Sequence, residues 1–266
     1  MSIPLLLKDI KNNVMLLLVF IVLMSIYLAV IIFMYNPDGA GALLDMLSLL
    51  PATFVSILGL SAIDSGLTGF IAGLFYGFLI YLFPMVYCII LGNRLVAKWV
   101  YDGSFGCLLA TPNSRIKIIV TQGLYMVLSI FVLFAVLFLV GVGVSGYFFP
   151  GMLDTTLFMK LNLSACLMTV TIGLICFFFS CLFNNTKLSL TFGAGIPILF
   201  FSLTMLSGLS EQTSFLGKFS LYTVFNSMAI INGETSVVMV CSGFLIISLL
   251  LLAAGVGVFS IKRLPV

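Results

Sequence analysis

Six runs of about 20 apolar residues constrain this chain more than anything else in it. At 1.5 Å rise per residue, a run of that length matches a hydrocarbon core about 30 Å thick. The runs fall at 15–34, 69–92, 119–145, 161–183, 190–208 and 237–260. Backbone amides in hydrocarbon must find their partners within the segment, so each run is expected as a helix. Only 7% of the 266 residues are charged, against about 25% in soluble domains, which leaves little polar sequence between the runs. The expected fold is therefore all-α, a single transmembrane domain over 1–266 with no nucleotide-binding domain.

Charge sets the orientation. Basic residues near span ends mark the cytoplasmic side. With six spans and the amino terminus inside, Lys8, Lys11, Arg94, Lys98, Arg115, Lys117, Lys187, Lys262 and Arg263 fall in the cytoplasm. Only Lys160 and Lys218 fall outside, a nine-to-two split of the 11 basic residues. The stretch 42–68 is apolar enough to be mistaken for a seventh span, but counting it as one puts the Arg94–Lys117 cluster on the wrong side. Asp45, Pro51, Gly59, Asp64 and Gly66 also weaken a spanning helix there, so it is expected as an external, membrane-hugging segment. Both termini are then cytoplasmic, in a multi-pass protein of a cell membrane. The net charge of +3 reads as membrane orientation and gives no footprint for nucleic acid.

The first residues place Leu5, Leu6, Leu7 and Ile10 near one another, with Lys8, Lys11 and Asn12 elsewhere, which suits a short interfacial helix over 1–14. The following apolar run is too long for a cleaved signal peptide, and no small-residue cleavage site follows it. Between the fifth and sixth spans, 208–236 carries Phe215, Leu216, Phe219, Leu221, Tyr222, Val224 and Phe225. That is too apolar for a solvated loop and too interrupted for a span. An external hairpin or re-entrant piece is expected.

The chemistry-bearing residues exclude more than they assign. With no histidine, the commonest general base and metal ligand are missing. No phosphate-binding G-x-x-x-x-G-K-[ST] exists; Gly217-Lys218 is followed by Phe219, and position 212 is glutamine. The chain is thus not expected to hydrolyse ATP, and no catalytic, metal or cofactor-binding residue is assigned. Of the acidic residues only Asp9 and Asp102 are expected at the cytoplasmic side, the rest in outer loops, and none mid-span where an ion relay would need one. No two of the six cysteines form a C-x-x-C pair, and they read as small packing residues. Gly69, Gly73 and Gly77 recur every four residues on one helix face, where small side chains allow close approach within the subunit or between subunits. Pro84 is expected to kink the same helix. Gly193-Ala-Gly195-Ile-Pro197 marks a second irregular point.

The element between spans two and three, 93–118, is the most distinctive. It is moderately polar, with Arg94 and Lys98 near its start and Arg115 and Lys117 near its end. Within it stand Asp102-Gly103, Leu108-Leu109, Pro112 and Arg115. This acid-Gly step followed by a Leu-Leu-x-x-Pro-x-x-Arg run, set in a six-span layout with a short basic tail Phe259-Ser-Ile-Lys-Arg-Leu-Pro265, resembles the permease subunits of bacterial ABC exporters of the six-span, type V class. Gln122 departs from the lysine that often opens the third span in that class. The resemblance implies a coupling helix that presents Trp99, Phe105, Leu108 and Leu109 to a hydrophobic cleft in a separate ATPase subunit. Asp102 and the flanking bases would fix its orientation, Gly103 would allow close approach, and Pro112 would end the helix. It also implies two ATPase copies holding ATP and Mg, and a second permease copy as homodimer partner. Two other classes stay open: an ion-coupled secondary carrier, and a non-transporting immunity or assembly protein with the same layout.

Overall fold

A computed structural model describes residues 2–35, 66–101, 114–208 and 211–262. The described residues are all-helical. Six helices are long and apolar enough to cross a membrane: α1 (Ile3–Met34), α2 (Gly66–Val100), α3 (Arg115–Phe148), α4 (Thr155–Leu182), α5 (Thr186–Ser207) and, after a short α6 (Ser227–Ile231), α7 (Val237–Ile261). By layout this is a multi-pass membrane protein. The expected external stretch 42–68 lies outside the described residues up to Ser65.

Local chemistry fixes where the helices begin. Pro4 sits in the first turn of α1, where its missing N–H costs nothing. Ser114, Asp154, Asn185 and Asn226 cap α3, α4, α5 and α6 by accepting from backbone N–H groups two or three residues on. Gly151, at φ +80°, turns the chain between α3 and α4 in a conformation that L side chains resist.

α4 is the hub. Of its most apolar 18-residue window 83% is buried, against 17–28% for α1, α5 and α7. It packs against α7, α5, α3 and α2, while α1 lies on α3 at the periphery. The hub is also where buried small polar side chains concentrate. Thr171 Oγ1 donates to Leu167 O at 3.0 Å and lies 3.0 Å from Ser248 Oγ of α7. Asn162 Nδ2 donates to Tyr76 Oη of α2 at 3.1 Å, and Ser164 Oγ lies 3.6 Å from Cys241 Sγ of α7. Lipid is as apolar as leucine, so hydrogen bonds and close packing, more than hydrophobicity, select which helices meet.

Three features differ from the sequence expectation. No break separates the expected interfacial helix 1–14 from the first span. Leu5, Asp9 and Asn13 are buried, and Ser2 N donates to Thr121 Oγ1 of α3 at 3.0 Å, so these turns rise along the bundle as part of α1. At Pro84, where a kink is expected, α2 continues as helix. The helix takes two π turns, Phe75–Leu79 just before the proline and Asn93–Ala97 beyond it. A proline ring crowds the carbonyl one turn earlier, and the wider π turn at 75–79 lies next to that carbonyl. Finally, α2 runs past the expected end at 92, so the first described residues of the 93–118 element are its continuation.

The stretch after α5 folds back in short helical pieces, Glu211–Phe219, Tyr222–Val224 and α6. Ser220 Oγ donates to Phe200 O of α5 at 2.8 Å, and Tyr81 Oη of α2 donates to Phe225 O at 2.9 Å.

Candidate functional site

The ends of five helices converge where most basic residues lie. Lys8 Nζ of α1 sits 4.7 Å from the centre of the Trp99 ring at the end of α2, a cation–π contact. Ala97 N donates to Ser180 Oγ at the end of α4 at 2.8 Å. Arg115, the first residue of α3, donates through its guanidinium to Lys262 O at 3.2 Å, just past α7. Lys262 Nζ in turn donates to Cys181 O near the end of α4 at 2.8 Å. The last carbonyls of a helix lack intrahelical partners and carry the negative pole of its dipole, so Arg115 and Lys262 satisfy α7 and α4 where each needs a cation. Burial pulls the Lys262 ammonium down to about 8, with the Cys181 side chain acting weakly the other way.

The π turn at 93–97 determines how the end of α2 is held. In a π turn the hydrogen bond runs to the fifth residue back; Lys98 N donates to Asn93 O. One amide of that turn, Ala97 N–H, is met by the Ser180 hydroxyl, which locks α2 to α4 one residue before Lys98. One turn earlier, Gly92 lies against α4 so closely that a Cβ placed there would stand 2.8 Å from Cys176 Cβ. The helix thus arrives at this end held tightly, with half-buried Trp99 its last large described side chain.

Of the site residues expected from sequence, Trp99 and Arg115 belong to this converging end, on α2 and α3. Asp102, Gly103, Phe105, Leu108, Leu109 and Pro112 lie outside the described residues. Gly69 and Gly73 are buried near the other end of α2, and Gly77 is half-buried within the first π turn.

Sequence reasoning missed a polar interface between α1 and α3. Asp9 is only 2% exposed, and its Oδ2 has no hydrogen-bond partner among the described residues. Asn13, one turn on, is buried and donates through Nδ2 to Asp9 O at 3.0 Å. On α3, Thr121 and Gln122 are fully buried, and both polar atoms of Gln122 lack partners among the described residues. The signal was the spacing of Asp9 and Asn13, four apart and seven or eleven from Ser2, which puts all three on the face that meets α3. Neither a protein-family model nor a curated protein sequence matches this chain.

Proposed function

We propose that this chain is the membrane-spanning permease subunit of an ATP-binding-cassette exporter, coupling ATP hydrolysis in a separate ATPase subunit to movement of a substrate through a pair of permeases. The observation that supports it is the second span. α2 continues beyond its apolar stretch as helix, is pinned to the hub by Gly92 and by Ala97 N–H, and brings Trp99 to the basic end of the bundle, three residues in sequence before the acid-Gly…Leu-Leu-x-x-Pro-x-x-Arg run begins. In this reading that end and both termini are cytoplasmic. ATP and Mg belong to the partner, and ATP-driven closure of two ATPase subunits displaces the end of α2 and biases the spans between inward- and outward-open arrangements.

Co-purification of an ATP-hydrolysing subunit with the chain tests this directly. Truncation of an interface anchor often costs about 2–4 kcal/mol, so Trp99→Ala, Phe105→Ala or Leu109→Ala should weaken ATPase association or uncouple hydrolysis from transport while insertion stays intact. Lys117→Ala should matter less, as rim charges do. Full association and wild-type transport in all three anchor variants would refute the coupling role. External labelling of a cysteine placed at position 113 would refute the topology.

One observation favours a second reading, an ion-coupled secondary carrier: the buried Asp9 carboxyl with its unpartnered oxygen. Transport that persists without any ATPase and is abolished in Asp9→Asn would decide for it.

A further inference from the structure

We propose that the face of α1 near the basic end holds one anionic phospholipid, its acyl chain in an apolar groove and its phosphate on Lys8 and Lys11. An open, shallow hollow of about 570 Å³ lies along α1 from Met15 to Tyr27, and its lining among the described residues comes from α1 alone, apolar side chains and Tyr27. The twelve residue steps from Met15 to Tyr27 cover about 18 Å of helix. That is slightly more than one leaflet of a hydrocarbon core about 30 Å thick, so the groove matches a single acyl chain entering from one side and not a ligand that crosses the bilayer.

What stands at its mouth selects the headgroup. Lys8 precedes Met15, Val19, Val22 and Ile26 by 7, 11, 14 and 18 residues, so it lies on the same helix face as the groove. Lys11 lies one turn below Met15, and both lysines are exposed. Lys8 is also steadied against Trp99, whose indole N–H is a donor of the type found at membrane interfaces. At the far end Tyr27 packs on Phe83 of α2 with ring centres 5.4 Å apart, so the seam between α1 and α2 flanks the groove at both ends. The carboxylate on α1, Asp9, is turned inward and buried. Two exposed cations above an apolar face about one leaflet long are complementary to a lipid with a negatively charged headgroup. A second copy of this chain would bring its own Lys8 and Lys11 to the same place. This inference does not depend on the exporter reading.

Native mass spectrometry of the purified full-length chain, equilibrated with phosphatidylglycerol or phosphatidylcholine of the same chain length, tests it. One phosphatidylglycerol should be retained at least fivefold better than phosphatidylcholine. A juxtamembrane basic residue is worth about 1 kcal/mol toward anionic lipid, which is about fivefold. Lys8→Gln with Lys11→Gln should bring the ratio near one, and Lys117→Gln, on α3 at the same end, should leave it unchanged. Val22→Trp should displace the lipid by filling the slot. Equal retention of the two lipids would overturn the proposal, as would a ratio that falls as far in Lys117→Gln as in the double variant. Efficient disulfide-linked dimers of Val22→Cys in the membrane would also overturn it, by showing a second copy over the groove.

Discussion

Gly92 is a point of close approach between α2 and the hub, and replacing it isolates the energetic weight of that contact. In Gly92→Ala the new methyl would stand 2.8 Å from Cys176 Cβ and 3.2 and 3.3 Å from Cys176 C and Phe177 N. Carbon contacts are comfortable at about 3.5–4.0 Å, so the helices must part locally by about 0.5–1 Å. Two of the three neighbours are backbone atoms and cannot swing aside. Overpacking of this kind costs about 1–3 kcal/mol. The same change also gains about 1 kcal/mol of helix propensity, which would blur the sign. Gly143→Ala on exposed α3 backbone meets nothing within 4 Å and carries that propensity gain alone. The difference between the two variants is then the overpacking term, about 1–3 kcal/mol, or about 2–12 °C in the midpoint of thermal unfolding in detergent at 2–4 °C per kcal/mol. Equal midpoints for Gly92→Ala and Gly143→Ala would refute the claim that α2 is clamped there.

Ser180→Ala leaves the Ala97 N–H without its acceptor. It should cost about 1–3 kcal/mol and raise amide hydrogen exchange at Ala97 and Lys98 before other parts of α2. Lys262 is held near 8 in the folded chain against 10.5 for a free lysine, so between those values the unfolded state binds more protons. Stability should therefore rise as pH climbs from about 8 to 10.5, and Lys262→Met should flatten that segment of the profile relative to wild type. Asp9→Asn removes a buried charge with an unpartnered oxygen while leaving the Asn13 bond to the backbone of residue 9 in place. It should raise the thermal midpoint at pH 7, and a fall would show that the carboxylate has a partner that amide cannot replace.

How much of this could be read from sequence depended on whether the property concerned a single helix or a pair. The six helices were legible because length and apolarity are properties of each run alone, and 15–34 and 237–260 fall within the observed α1 and α7. The end of α2 was not, because hydropathy drops at Asn93 whereas the helix is continued by a π turn and by Ser180 on another span. Burial was least legible. Lipid-facing and bundle-facing residues are equally apolar, so α4 is distinguished from α7 only by its small polar residues, Asn162, Ser164, Thr169, Thr171 and Ser180. The sequence places Asp9 at the cytoplasmic side, beside the exposed Lys8 and Lys11. Only the docking of α1 on α3 turns it inward. Of the 93–118 element, Trp99 and Arg115 are among the described residues and the run from Asp102 to Pro112 falls outside them.

The central position of α4 has a consequence for biogenesis. The chain is made from its amino terminus, so α1, α2 and α3 enter the membrane before their common neighbour exists. Until it arrives, the Tyr76 hydroxyl lacks Asn162, the Ala97 amide lacks Ser180, and the cleft at Gly92 lies empty against lipid. A three-span intermediate therefore exposes polar groups to hydrocarbon that the finished protein conceals. Nascent chains arrested before Thr155 should be the ones that membrane chaperones retain and membrane proteases remove, and release should coincide with emergence of the fourth span.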